Sequence, residues 1–600
     1  MANPSAATIT GPMTVTTDSS ATSLLSLTGR PWQMPDASVE RAGLAIAQRH
    51  GLPEIIGRVL AIRGVGIDEA RAYLAPTLRD MMPDPSTLTD MDAAAARLAA
   101  AVMRGERVGL FGDYDVDGGA SVALVQRWLR ALGIEARVHI PDRIDEGYGP
   151  NDPAMRALAR DCPLILCLDC GTLSHGPIAA ARAAGADVIV ADHHIAGETL
   201  PDCTAVVNPN RHDDESGLGQ LCAAGVAFLL LAATNRALRK DGKIKEPDLR
   251  QWLDLVALAT VADVAPLIGL NRAFVRQGLH VMRQRRNPGL KALADVAGMD
   301  TAPTPFHLGF LLGPRVNAGG RIGRADMGAE LLACDDAENA AGLAAQLDSC
   351  NRDRREIEAA VLEAAIEQVE ARGVTGGLVW AADEGWHPGV VGIVASRLKE
   401  RYNRPSIVIG FDEGVGKGSG RSVSGIDLGR VIHGATGAGM LLKGGGHKMA
   451  AGLTVAQDRL EDAMAWIDAA LCKQGADRIG PRTLMLDGAL SPRGATLDLC
   501  EMLEQAGPFG AGAPAPRFAF TNVRLDRMRE VGTGHFACSI TDGTAWLDAI
   551  AFRAFEGDLG PALMAQKGRT LDVAGRIQAD EWQGRKRAKL FLEDAAPPRQ

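Results

Sequence analysis

At 600 residues, 46% apolar and 23% charged, the chain has the composition of a soluble globular protein with several packed cores, roughly four at about 150 residues each. A formal charge of −9 excludes a polycation held to nucleic acid by its global field, so contacts with a phosphate backbone must come from local basic patches. No uninterrupted apolar run is long enough to span a bilayer, and ten scattered cysteines lack the even spacing of a secreted disulfide framework, which points to a reducing cytoplasm.

Residues 1–30, rich in Ser, Thr and Ala, lack both the apolar content to fold and the basic start of a signal peptide, and read as a disordered tail. Residues 31–104 alternate helical periodicity with Pro and Gly breaks, as in GLPEIIGRVLAIRGVGIDEARAYL, and predict a helical lead-in. From 105 to 324 the pattern becomes strand, loop, helix, repeated. Val108–Phe111 is a buried strand that ends in three carboxylates, Asp113, Asp115 and Asp117; a helix follows over Ser121–Leu132, stopped by Gly133. Like charges this close repel. One Asp capping the helix would explain a single carboxylate and leave two, so a divalent cation is the better reading.

Ile134–Ile140 is a second strand. Pro163–Leu168 is a third, with Asp169 immediately after it, and Asp187–Ala191 a fourth, followed by Asp192, His193 and His194. In a parallel α/β sheet, ligands bind beyond the carboxyl ends of the strands, and three strands here place acids or histidines at that edge. Cys167 and Cys170 form a CxxC inside an apolar strand with no second pair at zinc spacing, and read as buried thiols. Asp263 stands where the helical run LDLVALATVADVAPL breaks before Pro266.

Residues 325–372, dense in Ala, Leu, Glu and Arg without Pro, predict one continuous connector helix. Residues 373–474 form a second, smaller α/β domain. It carries two glycine-rich segments, GKGSGRS and GGGHKM, expected as loops whose backbone N–H groups approach a phosphate beside Ser419, Arg421, His447 and Lys448. Residues 475–600 switch to short alternating runs (RFAFTNVRL, HFACSIT, WLDAIAF, TLDVAGRI), a small β-barrel in prospect. Trp582 with Arg585, Lys586, Arg587 and Lys589 makes a basic patch with an aromatic neighbour, a combination suited to single-stranded DNA.

GDYDVDGGAS, RIDEGYGPN, LDCGT, ADHH, TVADVAPL and GPRVNAGGRIG resemble, in order, the motifs of the DHH phosphoesterase superfamily, most closely its bacterial single-strand-specific exonucleases. GWHPGVVGIVASRL, GSGRSVSGIDL and GGGHKMAAG resemble the associated DHHA1 domain. The resemblance covers nearly the whole chain from about residue 30. It implies an α/β fold with a parallel-sheet DHH catalytic domain, a connector helix, a DHHA1 nucleic-acid-binding domain and a C-terminal OB-type barrel. It implies a 5′-3′ exonuclease acting on single-stranded DNA in repair and recombination, with two Mn²⁺ or Mg²⁺ ions.

Carboxylates with one or two imidazoles suit those ions. The expected ligands are Asp115, Asp117, Asp169, His193 and Asp263, with Asp169 as a bridge. Asp113, Asp192 and His194 complete the catalytic set. On the substrate side the resemblance implies Arg143, Arg315, Asn317, His387, Ser419, Arg421 and His447, with Arg143 or Arg421 holding a terminal 5′-phosphate. Where the family carries Asn and Glu in the loop GPFGAGAPAPRF, this chain has Ala513 and Ala515, so no polar role is expected of that loop. A single-strand-binding protein and a helicase are the partners expected on family grounds, and a monomer is the default. One alternative is a hydrolase of short oligonucleotides or cyclic dinucleotides, which ordinarily lacks the lead-in and the barrel. The other is a scaffold that has lost its metals, which the intact acids argue against.

Overall fold

The computed structural model describes residues 25–143, 145–582 and 585–598. The described residues divide into two compact units, one of Ala37–Gly480 with Glu501–Pro516, the other of residues 25–36 with Pro481–Cys500 and Arg517 onward. Among the described residues no helix is long and apolar enough to cross a membrane.

In the first unit, five short strands form a wholly parallel sheet: β1 (Val108–Gly112), β2 (Ala136–His139), β3 (Leu164–Leu168), β4 (Asp187–Ala191) and β5 (Ala205–Val207), in the order β2-β1-β3-β4-β5. β1 and β3 are buried along their whole length, as a sheet covered on both faces requires. Gly112 pairs with Leu168, and Leu168 with Ala191. Asp113, Asp169 and Asp192 therefore stand one residue beyond aligned strand ends, on one edge. The strand order reverses between β1 and β3, and such a switch point opens a crevice at that edge.

Helix α1 (Val116–Ala131) begins five residues before the predicted start at Ser121. Asp115 caps it, accepting from the N–H groups of Asp117 and Gly118 at 2.8 and 3.1 Å, which draws Asp117-Gly118-Gly119 into the first turn. A Cβ on Gly118 would stand 2.5 Å from the Asp113 carbonyl oxygen, so the acidic loop folds back on its own helix only through a glycine there. Behind the sheet edge lie α2 (Ala223–Asp241), the almost wholly buried α3 (Leu253–Ala262) and α4 (Gly313–Ile322).

The expected single helix over 325–372 is two, Met327–Ala333 and α5 (Ala337–Arg372). The break is made by Arg127, a buried guanidinium that donates to the carbonyls of Leu332 (2.9 Å) and Cys334 (2.7 Å) and pairs with Asp335 (2.6 Å). Asp336 then caps α5, accepting from Asn339 N–H at 2.7 Å. Composition favoured helix throughout; a long-range cation satisfying the helix-end carbonyls overrode it. Along α5, Ala340, Leu343, Ala344 and Leu347 are buried in the core of the parallel-sheet region. Val361, Ala365 and Val369 are buried in a separate core with β6 (Val379–Glu384) and α6 (Pro388–Tyr402).

The second sheet continues with β7 (Ser406–Asp412), β8 (Val415–Arg421), β9 (Lys443–His447) and β10 (Ala450–Ala456), in the order β9-β10-β8-β7-β6. GKGSGRS and GGGHKM, expected as loops, are strands: Ser419 pairs with Gly452, and His447 with Ala450. Their glycines make room for apolar neighbours; a Cβ on Gly418 would lie 2.8 Å from Ile409, and one on Gly420 2.8 Å from Leu428.

In the second unit, β11 (Phe518–Val531), β12 (His535–Thr541), β13 (Trp546–Ala551), β14 (Thr570–Trp582) and β15 (Arg585–Ala596) run in the order β11-β12-β13-β15-β14, and β14 pairs back with β11 to close the barrel. Two expectations are corrected here. Trp32–Gln33, read with the helical lead-in, pairs in parallel with Leu484–Met485. Of the expected tail, residues 1–24 lie outside the described residues. Residues 25–30 form a turn in which Ser26 Oγ accepts from Thr28 and Arg30, while Leu27 N–H donates to Ala595. On the basic hairpin, Arg587 pairs with Asp548 (2.6 Å) and Lys589 with Asp580 (3.2 Å), so its charge is partly neutralised. The Trp582 side chain lies outside the described residues.

Candidate metal centre

The acidic edge gathers every carboxylate and imidazole expected in the catalytic set. Three groups each offer ligand atoms within 4.8 Å of one another: Asp113, Asp115 and Asp169; Asp117, His193 and Asp263; and Asp169, His193 and His194. His193 is the hub. Its Nε2 lies 3.3 Å from Asp169 Oδ1 and 3.7 Å from Asp117 Oδ2, and its Nδ1 lies 4.0 Å from Asp263 Oδ2. Asp169 touches two of the three groups, the position a bridging carboxylate needs.

Burial makes this crowding costly. Asp113, Asp117 and Asp169 are each at most 4% exposed, and Asp113 Oδ1 and Asp169 Oδ1 are buried without a hydrogen bond among the described residues. Asp169 also holds a left-handed backbone, φ +63°, unusual for a residue with a side chain. Burial first, and Asp115 second, pushes the Asp113 carboxyl up to about 8. Burial, then Asp117 and Asp115, pushes Asp263 up to about 8, and burial with four neighbouring acids raises Asp169 well above the carboxylate range. Without a cation the cluster must take up protons. Unpartnered buried oxygens, several carboxylates and one imidazole at the hub are a donor set that fits Mn²⁺ or Mg²⁺.

Not all the acids are equally free to ligate. Asp117 lies on the N-terminus of α2, accepting from Ala223 N–H (2.6 Å) and Ala224 N–H (2.8 Å), which stabilises its charge through the helix dipole. Each oxygen keeps a further lone pair for a metal. Asp192 is fully engaged, with Oδ1 accepting from His193 N–H (2.7 Å), His194 N–H (3.2 Å) and His194 Nδ1 (2.8 Å), and Oδ2 from Thr172 N–H (3.1 Å). Burial alone would raise Asp192, but the His194 contact outweighs it and holds the carboxyl below its ordinary range. Burial likewise opposes charge on His194, and Asp192 overcomes it, raising the imidazole to about 9. Asp192 thus holds the backbone of both histidines and the ring of His194, with both of its oxygens hydrogen-bonded.

Several positioning groups went unread in the sequence. Asn210 donates to the His193 carbonyl, and Asn208 to the His194 carbonyl (2.8 Å) and Thr172 Oγ (2.9 Å). Tyr148 O–H donates to the Asp169 carbonyl (3.3 Å), with its ring edge-on to His194. The signal available for the asparagines was their place, Asn-Pro-Asn directly after β5; Tyr148 lies inside RIDEGYGPN, from which only Arg143 was chosen.

Beside the acids is a cationic pocket. A cavity of about 250 Å³ is lined by Arg143, Arg321, Lys417 and Ser419, with Gly389, Gly418 and Gly452 bringing backbone close. Arg421 Nη1 donates to Ser419 Oγ at 2.9 Å, and Arg143 lies over the Tyr114 ring at 5.4 Å. Burial first, then the Arg143 charge, lowers Arg321 to about 10 and also lowers Arg421 and His387. Crowded cations without a carboxylate among the lining residues suit an anionic ligand. His387 caps α6, accepting from Gly389 N–H at 3.0 Å.

Three expected substrate residues are placed otherwise. Arg315 is drawn away to Asp348 (2.9 Å) and the Leu311 carbonyl (2.8 Å). Asn317 accepts from Val116 N–H at 3.0 Å and so fixes the start of α1. His447 ends β9, exposed, and does not line the cationic cavity.

Family models match at three places: the N-terminal domain of the DHH family over residues 107–260, the DHHA1 domain over 373–473 and the RecJ OB domain over 486–594. The chain is 37% identical over 572 residues to the single-stranded-DNA-specific exonuclease RecJ of Dickeya dadantii, spanning 91% of this chain and 96% of that protein. It is 36% identical to the same protein of Escherichia coli, with the same coverage. Among solved structures, RecJ from Thermus thermophilus in complex with Mn²⁺ superposes with a TM-score of 0.79 at 29% identity, covering 95% of this chain and 80% of that one. Its complex with Mg²⁺ gives 0.72 at 28% identity, covering 95% and 79%.

Proposed function

The chain belongs to the RecJ family of single-stranded-DNA-specific exonucleases, and on that footing we propose that it shortens single-stranded DNA from the 5′ end at a two-ion site on the edge of the parallel sheet. The observation that carries the reading is the pair of buried oxygens on Asp113 and Asp169 that accept no hydrogen bond among the described residues, beside a cationic pocket with no carboxylate in its lining. Asp115, Asp117, Asp169, His193 and Asp263 would hold the ions, and Asp113 lies close enough to join them. Divalent ions in such a site supply Lewis acidity and activate water for attack on a phosphodiester.

The remaining work falls to the protein. Asp192 and Asn210 hold the His193 backbone at its N–H and its carbonyl, and from there the hub imidazole turns Nε2 to Asp169 and Asp117. His194, held by Asp192 and flanked by Tyr148, is placed to donate a hydrogen bond to a phosphate oxygen at the scissile bond. Arg143, Arg321, Lys417 and Ser419, with Arg421 supporting Ser419, would grip the phosphate of the strand terminus, and a grip on the 5′-phosphate sets the polarity. The barrel, which falls within the RecJ OB match, supplies further single-strand contacts. A cytoplasmic monomer working with a helicase and a single-strand-binding protein is the setting we propose. Hydrolysis of short oligonucleotides or cyclic dinucleotides is disfavoured by the match to the RecJ OB domain.

The test is product analysis on 3′-labelled single-stranded DNA with Mn²⁺, beside matched duplex and a cyclic dinucleotide. Progressive shortening of the single strand from its 5′ end is expected. Cleavage of the dinucleotide with the long strand intact would overturn the reading.

A further inference from the structure

Asp263 sits on a turn that the catalytic segment does not hold alone. Helix α3 ends with Val264 N–H donating to the Val261 carbonyl (3.2 Å) and Ala265 N–H to that of Thr260 (3.1 Å), which puts Val264 at φ +60°. Glycine is the usual occupant of that position, and a β-branched residue is disfavoured there. The Val264 side chain is 69% exposed, so no packing of its own offsets this. Such a backbone persists only where its surroundings fix it.

Part of that fixing is local: the buried Asn271 donates to the Pro266 carbonyl at 3.0 Å. The rest comes from residues 510–513, nearly 250 positions further along the chain. The Ala511 carbonyl accepts from Leu267 N–H at 2.8 Å. Gly512, at φ +67°, approaches so closely that a Cβ on it would stand 3.0 Å from Pro266, and one on Gly510 would stand 2.8 Å from Leu267. The loop is closed by hydrogen bonds exchanged between Gly510 and Ala513 (2.9 and 3.2 Å). It is anchored at its start by Arg272, 2% exposed, which donates to the Ala506 carbonyl (2.8 Å) and stacks 3.7 Å over Tyr73. At its far end Arg63 donates to the Pro514 carbonyl.

We propose that residues 510–513 are a positioning clamp for the metal site, holding Val264 in its left-handed conformation and so fixing where the Asp263 carboxylate stands. The loop needs no polar side chain for this; it acts through one carbonyl and two close-approaching glycines. The proposal rests on Asp263 as a metal ligand. It means that a piece of the segment matching the RecJ OB domain belongs functionally to the catalytic centre.

The experiment is Mn²⁺ titration calorimetry on the full chain, its Gly512→Val and Val264→Gly variants, and the double variant, with circular dichroism as the check on folding. Gly512→Val is expected to weaken Mn²⁺ binding about tenfold or more, as losses of ligand-orienting groups do. Single-strand binding in EDTA should stay unchanged. Val264→Gly accepts the left-handed backbone unaided, so it should keep wild-type affinity and restore it in the Gly512→Val background. Wild-type affinity in Gly512→Val, or failure of Val264→Gly to restore it, overturns the clamp. Should Gly512→Val not fold, Arg63→Ala must weaken Mn²⁺ binding in the same direction, and unchanged affinity there overturns it equally. A wild-type chain that binds no Mn²⁺ would instead sink the metal reading itself.

Discussion

Asp169 combines a left-handed backbone, near-complete burial and an oxygen that accepts no hydrogen bond among the described residues, each unfavourable by itself. Together they describe a residue shaped for a ligand and not for stability. Asp169→Asn replaces a carboxyl that the ion-free chain already holds protonated, so in EDTA it is expected to melt at about the same temperature as the wild type. Mn²⁺ should no longer raise its melting temperature, and cleavage should fall to background. A variant that melts much earlier and still cleaves would refute this assignment. Asn210→Ala belongs to the same scale. Freeing the His193 carbonyl should cost about 10- to 100-fold in Mn²⁺ affinity, read by calorimetry, with the melting temperature in EDTA little changed.

At the scale of elements, three strands of the parallel sheet were most legible because they are short apolar runs followed directly by their chemistry, Gly112 before Asp113, Leu168 before Asp169 and Ala191 before Asp192, whereas the three-residue β5 went unread. The start of α1 was misread because Asp115 serves as both cap and candidate ligand, a double role that spacing does not reveal. The helix break at Cys334–Asp336 depends on Arg127, some 200 residues earlier, and the glycine-rich strands β8 and β9 look like loops until their facing side chains are known. In the last two cases what the sequence hid was a long-range partner.

The acidic edge as an assembly also predicts a pH response. Asp113 and Asp263, ordinarily near 3.8, stand at about 8 in the folded, ion-free chain. Folding therefore takes up protons between those values: the stability they contribute is full below about pH 4 and is lost as pH rises toward 8. A bound cation has the opposite preference, since it displaces those protons. In EDTA the melting temperature should fall between about pH 6 and pH 8, and the gain from Mn²⁺ should be larger at about pH 8. A flat profile in EDTA would contradict the assignment.

For the whole molecule, the acidic edge and the cationic pocket belong to one electrostatic system, since Asp115 raises Arg321 and Arg143 lowers Asp113. Arg321→Ala should leave Mn²⁺ affinity within a few-fold and reduce discrimination between 5′-phosphate and 5′-hydroxyl ends about tenfold, the equivalent of about 1.4 kcal/mol of contact. Rates on the two end types, measured side by side, decide it.

The pocket draws Arg143 and Arg321 from the acid-bearing region and Lys417 and Ser419 from the second α/β region, and α5 joins the two, its first half buried in one core and its second half in another. A helix advances about 1.5 Å and turns about 100° per residue, so α5 behaves as a screw whose thread sets the phase between the two sides of the pocket. One residue inserted between Leu347 and Val361 would swing the second α/β region a quarter-turn or more out of phase, breaking the hydrogen bond that Arg321 donates to the Gly389 carbonyl (2.8 Å) while leaving each core intact. Seven inserted residues would nearly restore the angle and still part the halves by about 10 Å. No change in its length preserves both the angle and the span, so this spindle acts as a fixed spacer between the two sides of one pocket.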